Sequence, residues 1–288
     1  MSYADRSTRI IVQGATGNQG SFHISRMNQY ARSVGGCGVV AGVTPGKGGQ
    51  ESSGVPVYDS VAEAVSAHDA TASVMFVPGM AAADSIMEAA DAGLDLVVAI
   101  TEHIPVHDVM KAVAYARMRD CTVIGPNCPG LLSPGAVSMG IMPSHLYTPG
   151  PVGVISRSGT LTYEVVHELT RAGIGQSTVV GIGGDPVIGQ SFADVLERFE
   201  ADPETKAVVL LGELGGNLEE EGARMAELPV VVFIAGTTAP PEKRMGHAGA
   251  IVSGGEGDAK SKISRLKALG VPVASRLSGI PGLIREIL

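Results

Sequence analysis

The chain has little cysteine, no clustered positive charge and no long apolar run, and each shortage excludes a class of protein. Its 288 residues hold three cysteines, Cys37, Cys121 and Cys128. They form no CxxC pair and no zinc-ligand spacing, so neither a disulfide framework nor a cysteine metal site is expected. The thiols read as free, in a reducing compartment. Lys and Arg number 21 against 29 Asp and Glu, a formal charge of −8, and the basic residues are scattered. An acidic chain without a basic patch argues against nucleic acid as a main partner. No apolar run approaches the roughly 18 residues that a membrane helix needs. The opening MSYADRSTR is polar and leads straight into a strand-like run. No signal peptide is expected there, and the chain reads as cytoplasmic.

What is present is apolar residues and glycine. Hydrophobic residues make up 44% of the chain and charged residues 17%. That composition supports a sizeable core, and the length suggests two domains. The 39 glycines have no collagen-like period. They gather at the ends of apolar runs, where tight turns and close ligand approach use them.

The first half alternates apolar runs with Ala-rich amphipathic segments. RIIVQG, VVAGVT, ASVMFV, LDLVVAI and CTVIG read as strands, and the stretches between them, from Ser21 onward, as helices. Continuous apolar strands alternating with helices indicate a parallel sheet covered on both faces, a Rossmann-like unit. Residues 125–153, GPNCPGLLSPGAVSMGIMPSHLYTPGPVG, are rich in Gly and Pro without helical period. They read as a linker with a short hairpin. Alternation then resumes. PVGVIS, STVVGI, KAVVLLGEL, PVVVFIAG and VPVAS are the expected strands of a second doubly wound domain, flavodoxin-like in pattern. The division is drawn between 147 and 148, giving domains 1–147 and 148–288.

The first strand runs into Gly14-Ala15-Thr16-Gly17-Asn18-Gln19-Gly20 and then a helix. Such a turn lets backbone approach a pyrophosphate at a positively polarised helix start. The second strand ends in GVTPGKGG, with Lys47 where an NAD site carries an acid for the ribose. Lys47 is either a solvated turn residue or a phosphate ligand. Turn and lysine together favour a phosphorylated adenine ligand other than NAD. AITEHIP and GPNCPG also follow strands, so these segments converge on one rim.

In the second half, Ser156-Arg157-Ser158-Gly159 joins a strand to a helix, and Glu213 ends another strand. RMGHAGAI, residues 244–251, carries the imidazole of His247 among side chains with little chemistry. A lone histidine reads first as structural. On the same rim as Glu213 and the Ser158 helix start it reads differently: the carboxylate holds one ring nitrogen, the other acts as nucleophile, and the helix start holds a phosphoryl group. A serine hydrolase built on Ser158 and His247 is the rival reading, but GxSxG is absent.

The ordered set GATGNQG, GVTPGKGG, FVP, ITEHIP, GPNCPG, SRSGTLTYE, GIGGDP, GELGG and RMGHAGAI resembles the α subunits of the succinyl-CoA synthetase (succinate–CoA ligase, ADP- or GDP-forming) family over nearly the whole length. The resemblance implies that the first domain binds coenzyme A, with Thr16, Gly17, Asn18, Gln19, Lys47, Ile100, Thr101 and Glu102 as contacts. It implies that His247 is transiently phosphorylated, that Glu213 orients it, that Ser158 and Gly159 hold the phosphoryl group, and that Tyr163 lies near the substrate. It also implies an ATP-grasp β subunit, in an αβ or α2β2 complex, that binds ATP or GTP and Mg²⁺; this chain shows no P-loop of its own. Two departures fall at the coenzyme end. His103 stands where the family usually has Gly, and the connection into the second strand is a few residues longer. Malate or citrate are therefore alternatives to succinate. A CoA-binding protein without ligase activity is a remoter one, since it would be expected to lack His247 or Glu213.

Overall fold

The computed structural model describes residues 3–238, 247–250 and 257–288. The first half contains β1 (Arg9–Gln13), α1 (Asn18–Val34), β2 (Gly38–Val43), β3 (Glu51–Ser52), β4 (Val55–Tyr58), α2 (Val61–His68), β5 (Ala72–Met75), α3 (Gly79–Asp91), β6 (Leu96–Ala99), α4 (Val106–Met118) and β7 (Thr122–Ile124). Its seven strands lie in the order β3-β4-β2-β1-β5-β6-β7, parallel except for the short edge strand β3. β1 is flanked by β2 on one side and β5 on the other, so the chain reverses direction across the sheet there. The carboxyl ends at such a switch point leave a crevice. Gly14 makes the turn out of β1 with φ 80°, and a Cβ on it would lie 2.5 Å from the Phe76 carbonyl oxygen, so only glycine fits.

The second half contains β8 (Gly130–Ser133), β9 (Val137–Gly140), β10 (Pro149–Ser156), α5 (Gly159–Arg171), β11 (Gln176–Gly181), α6 (Phe192–Glu200), β12 (Ala207–Gly212), α7 (Leu218–Met225), β13 (Val230–Ile234), α8 (Ala259–Ala268) and α9 (Ile280–Ile287). The strand order is β13-β12-β10-β11-β8-β9. β10 to β13 run parallel, and the β8–β9 hairpin adds antiparallel strands beyond β11. β10 sits between β11 and β12, which puts a second switch point where Ser156 leads into α5 and Gly212 leads into Glu213. β12, a run of Val and Leu, is buried at every residue, as a strand between two helical layers must be, and so is β11, including its polar Gln176, Ser177 and Thr178.

The hairpin predicted within the Gly/Pro-rich segment touches both halves. Leu131 and Leu132 pair with Val180 and Val179 of the second sheet. The Gly135 N–H donates to the Tyr30 hydroxyl at 2.7 Å and the Gly140 N–H to the Met27 sulfur at 3.4 Å, both on α1.

Three features differ from the sequence reading. VPVAS is not a strand: Val273 makes a single bridge to Val232. Pro272 has no N–H to extend a ladder; its carbonyl accepts from Val232 at 2.9 Å and the chain then turns away. The hairpin β3–β4 with α2, and the terminal helix α9, were not foreseen. α9 buries Ile280 and Ile284 against Val165, Leu169 and Val231.

Candidate active site

Glu213 follows the last residue of β12 and is nearly buried. His247 Nδ1 lies 3.0 Å from Glu213 Oε1 and 2.9 Å from Oε2. A carboxylate accepts and does not donate, so the geometry assigns the ring proton to Nδ1 and leaves the Nε2 lone pair free. Arg157, buried between β10 and α5, puts Nε 3.4 Å from Glu213 Oε1. The hydrogen bond that Nδ1–H donates to Glu213 raises the imidazole above its ordinary range; burial and the nearby Arg157 charge oppose that, and Asp185 adds to it. Gly184 packs flat against the ring, where a Cβ would come within 2.2 Å of His247 Cγ. Gly249 brings its N–H to the Gly184 carbonyl at 3.0 Å, which ties the short described segment 247–250 to the loop after β11. The remainder of RMGHAGAI lies outside the described residues.

The Ser158 hydroxyl accepts from the Leu161 N–H at 3.4 Å and caps α5. Gly159 and Thr160 follow it with no acidic side chain in the first turn. Such a helix start presents N–H groups to an anion. The Ser158 hydroxyl is thus engaged as the cap of α5.

One cavity of about 590 Å³ collects residues from both halves. Gln19, Phe76–Gly79, Ile100, Thr101 and Glu102 line it from the first half, and Gly159, Thr160, Tyr163 and His247 from the second, with Asn127, Cys128 and Pro129 between. Thr16, Gly17 and Asn18 continue from Gln19 along the exposed turn into α1. That helix begins at Gly17 with no side-chain cap and no acid in its first turn, so its N–H groups are open to an anion. Lys47 does not line the cavity. It is exposed on the loop after β2, which reaches the turn through the Thr16 N–H and the Thr44 hydroxyl at 3.3 Å.

Burial raises the Tyr163 phenol to about 12, so it stays protonated as a donor. Burial likewise raises the Cys128 thiol to about 12, and its sulfur donates to the Ala99 carbonyl at 3.3 Å. His103 takes φ 62°, a left-handed conformation that glycine adopts at no steric cost. Its side chain is exposed, 3.6 Å from Glu102.

The sequence carries Arg157, Gly184 and Phe76 within its motifs but gives none of them a role of its own. Arg157 sits inside the SRSG motif, but nothing in a sequence announces that an arginine is buried. Gly184 was part of GIGGDP, and its role depends on a ring more than sixty positions away.

A CoA binding domain family matches residues 5–103, and a CoA-ligase family matches residues 155–271. Succinate–CoA ligase [ADP-forming] subunit alpha 2 of Archaeoglobus fulgidus is 56% identical over 99% of this chain and 98% of its own length. The corresponding alpha subunits of Methanothermobacter thermautotrophicus and Staphylococcus aureus are 56% and 54% identical, over 97% and 94% of their lengths. Among solved structures, ATP citrate lyase of Methanothrix soehngenii, in complex with citrate and coenzyme A, superposes with a TM-score of 0.87 at 26% identity. This chain spans about half of that one, 52% of its length. The relatives are named as alpha subunits, which implies a second subunit. The chain belongs to the family of succinate–CoA ligase α subunits, a CoA-binding domain followed by a CoA-ligase domain.

Proposed function

We propose that this chain is the α subunit of a succinate–CoA ligase and works through a phosphohistidine at His247. The observation that carries the reading is the His247–Glu213 pair, 2.9 Å apart, at the wall of a cavity whose other wall belongs to the CoA-binding half. Nε2 of His247 attacks the γ-phosphorus of ATP, and ADP leaves. The phosphoryl group passes from Nε2 to a succinate carboxylate oxygen, giving succinyl phosphate and restoring the ring. The coenzyme A sulfur then attacks the acyl carbon. Phosphate departs, the thiol proton goes to solvent or phosphate, and the thioester remains. Splitting one hard displacement into three is what a covalent nucleophile achieves.

In this reading residues 1–147 hold coenzyme A and residues 148–288 carry the transfer chemistry, with the β8–β9 hairpin joining them. Thr16, Gly17, Asn18, Gln19 and Lys47 receive the phosphates of coenzyme A; Ile100, Thr101 and Glu102 line its path toward Tyr163. Ser158 and Gly159 offer the α5 start to the phosphoryl group, and Glu213 holds Nδ1–H. Nucleotide and Mg²⁺ are assigned to an ATP-grasp β subunit in an αβ or α2β2 complex. The free Cys37, Cys121 and Cys128 suit a reducing compartment, the cytoplasm. Identity of 56% to succinate-named relatives, against 26% to the citrate enzyme, favours succinate as the acid.

The test uses the purified αβ complex and γ-labelled ATP. Acid-labile, base-stable label on this chain, absent in His247→Asn, is expected. Label surviving in His247→Asn would overturn the reading. A hydroxamate assay should rank succinate above malate and citrate.

A further inference from the structure

Lys262, on the first turn of α8, is fully buried and has no part in the steps above. Its Nζ donates to the Glu213 carbonyl at 3.0 Å, to the Gly215 carbonyl at 2.8 Å and to Glu219 Oε2. Glu219 is also fully buried. Its other oxygen, Oε1, accepts the Glu213 backbone N–H at 3.1 Å and faces Arg157 at 3.5 Å. One ion pair therefore holds both backbone polar groups of Glu213. The carboxylate of the same residue meets His247 and Arg157.

The surrounding backbone is fitted to this pair. A Cβ on Gly212 would lie 2.3 Å from Glu219 Cγ, so the strand end must be glycine for Glu219 to fold back on it. The Gly215 N–H donates to the Gly257 carbonyl at 2.8 Å, and Asp258 caps α8 by accepting from Lys260 and Ser261. The turn bearing Glu213 is thus fastened to the start of the helix bearing Lys262.

Stability alone is a poor reason for such a pair. Taking two charges out of water is costly, and apolar replacements of buried pairs are often neutral or stabilising. Direction is a better reason. An ammonium has three donors, and here they meet three acceptors around one turn. We propose that Lys262 and Glu219 are positioning residues that aim the Glu213 carboxylate at His247 Nδ1 and so fix Nε2 as the nitrogen that takes the phosphoryl group. The proposal rests on the reading of His247 as the phosphoryl carrier. Among the described residues, the charged groups facing His247 are Glu213, Arg157 and Asp185.

The test compares wild type with Lys262→Met and Glu219→Gln in the αβ complex. Three quantities are read: the rate of labelling from γ-labelled ATP across pH, coenzyme A affinity by calorimetry, and the His247 ring titration by NMR. Both variants should label about tenfold or more slowly, since displacements near 1 Å at a reacting centre cost up to about 100-fold. Coenzyme A affinity should hold within about twofold, because its site lies in the other half. The His247 titration should move down as the ring loses its carboxylate. A purely structural role would slow labelling without moving that titration, and this result, or an unchanged rate in folded protein, overturns the proposal. If Lys262→Met fails to fold, the near-isosteric Glu219→Gln carries the same outcomes. An unlabelled wild type would refute the phosphohistidine reading instead, and the ring titration in the chain alone would still test the positioning.

Discussion

Glu213 meets His247 with both carboxylate oxygens, at 3.0 and 2.9 Å from the same ring nitrogen. The contact joins the end of a buried strand to a loop residue 34 positions away. It does two things at once. It fixes the tautomer, and it stabilises the cation that would form if Nε2 were protonated. The second effect works against nucleophilic attack at low pH, because only the neutral ring offers a lone pair.

That opposition gives a pH prediction. The Glu213 hydrogen bond raises the His247 pKa, so in wild type the labelling rate should climb with pH beyond the ordinary imidazole range. In Glu213→Gln the rising limb should move to lower pH, while the plateau falls because Nδ1 is held less firmly. Stability carries the same sign. A histidine whose folded pKa is raised contributes stability that is fully present below its unfolded pKa and lost as pH rises through the folded value. The melting-temperature gap between wild type and Glu213→Gln should therefore be wider near about pH 5.5 than near about pH 9. Labelling kinetics and thermal melts at both pH values check this; a limb that stays in place would count against the assignment of the shift.

Much of the fold was legible because it is written in period. Short apolar runs such as LVVA and AVVLLG, alternating with amphipathic helical stretches, read as strands buried on both faces, and glycines mark turns near their ends. VPVAS deceived because its composition is strand-like while Pro272 removes the donor a second ladder needs. The site divided the same way. His247, Glu213 and the α5 start were legible as chemistry at strand ends. Lys262, Glu219 and Arg157 were not. LEEEG reads as a solvated acidic helix start, yet Glu219 is fully buried and Glu220 nearly so, while Glu221 is exposed. Sequence shows that charges are present; only the packing of α7 against α8 shows which of them point inward.

Lys47 is exposed on a loop stitched to the turn that opens α1. If it meets a coenzyme phosphate, Lys47→Ala should weaken coenzyme A binding by about 1–3 kcal/mol, the range for hydrogen bonds to charged groups. Melting temperature should be unaffected, because an exposed loop lysine contributes little to the core. Calorimetry on the αβ complex checks this, with NAD as the control ligand. Binding of NAD as tight as coenzyme A would contradict the reading of the turn.

The three thiols should react in sequence. Cys37 is exposed, whereas burial raises Cys121 to about 11 and Cys128 to about 12. The thiolate is the reactive form, so at neutral pH a maleimide should modify Cys37 and spare the other two until the chain unfolds. Mass mapping before and after denaturation checks this. Cys128→Ala should retain labelling at His247, since coenzyme A brings its own thiol; a Cys128→Ala variant that no longer labels would make that thiol part of the chemistry.

Gly184 tests whether the imidazole must occupy the place where it is found. Its backbone lies outside the left-handed region, so alanine meets no conformational penalty there, and any effect must come from the methyl group. That methyl would fall 2.2 Å from His247 Cγ and 2.4 Å from Nδ1, closer than atoms approach. The ring has to move, and the Glu213 hydrogen bonds go with it. Gly184→Ala should therefore lose labelling by about 100-fold, the scale of an ångström-sized misplacement at a reacting centre. Coenzyme A binding and circular dichroism should stay close to wild type. Gly173→Ala is the matched control. There φ is 75° and nothing lies within 4 Å of the added carbon, so the cost is strain without crowding. It should lower stability by about 1–2 kcal/mol and leave labelling intact. If Gly184→Ala labels at the wild-type rate while Gly173→Ala melts early, the position of the ring against Gly184 has no bearing on transfer, and the nucleophile must act from another pose.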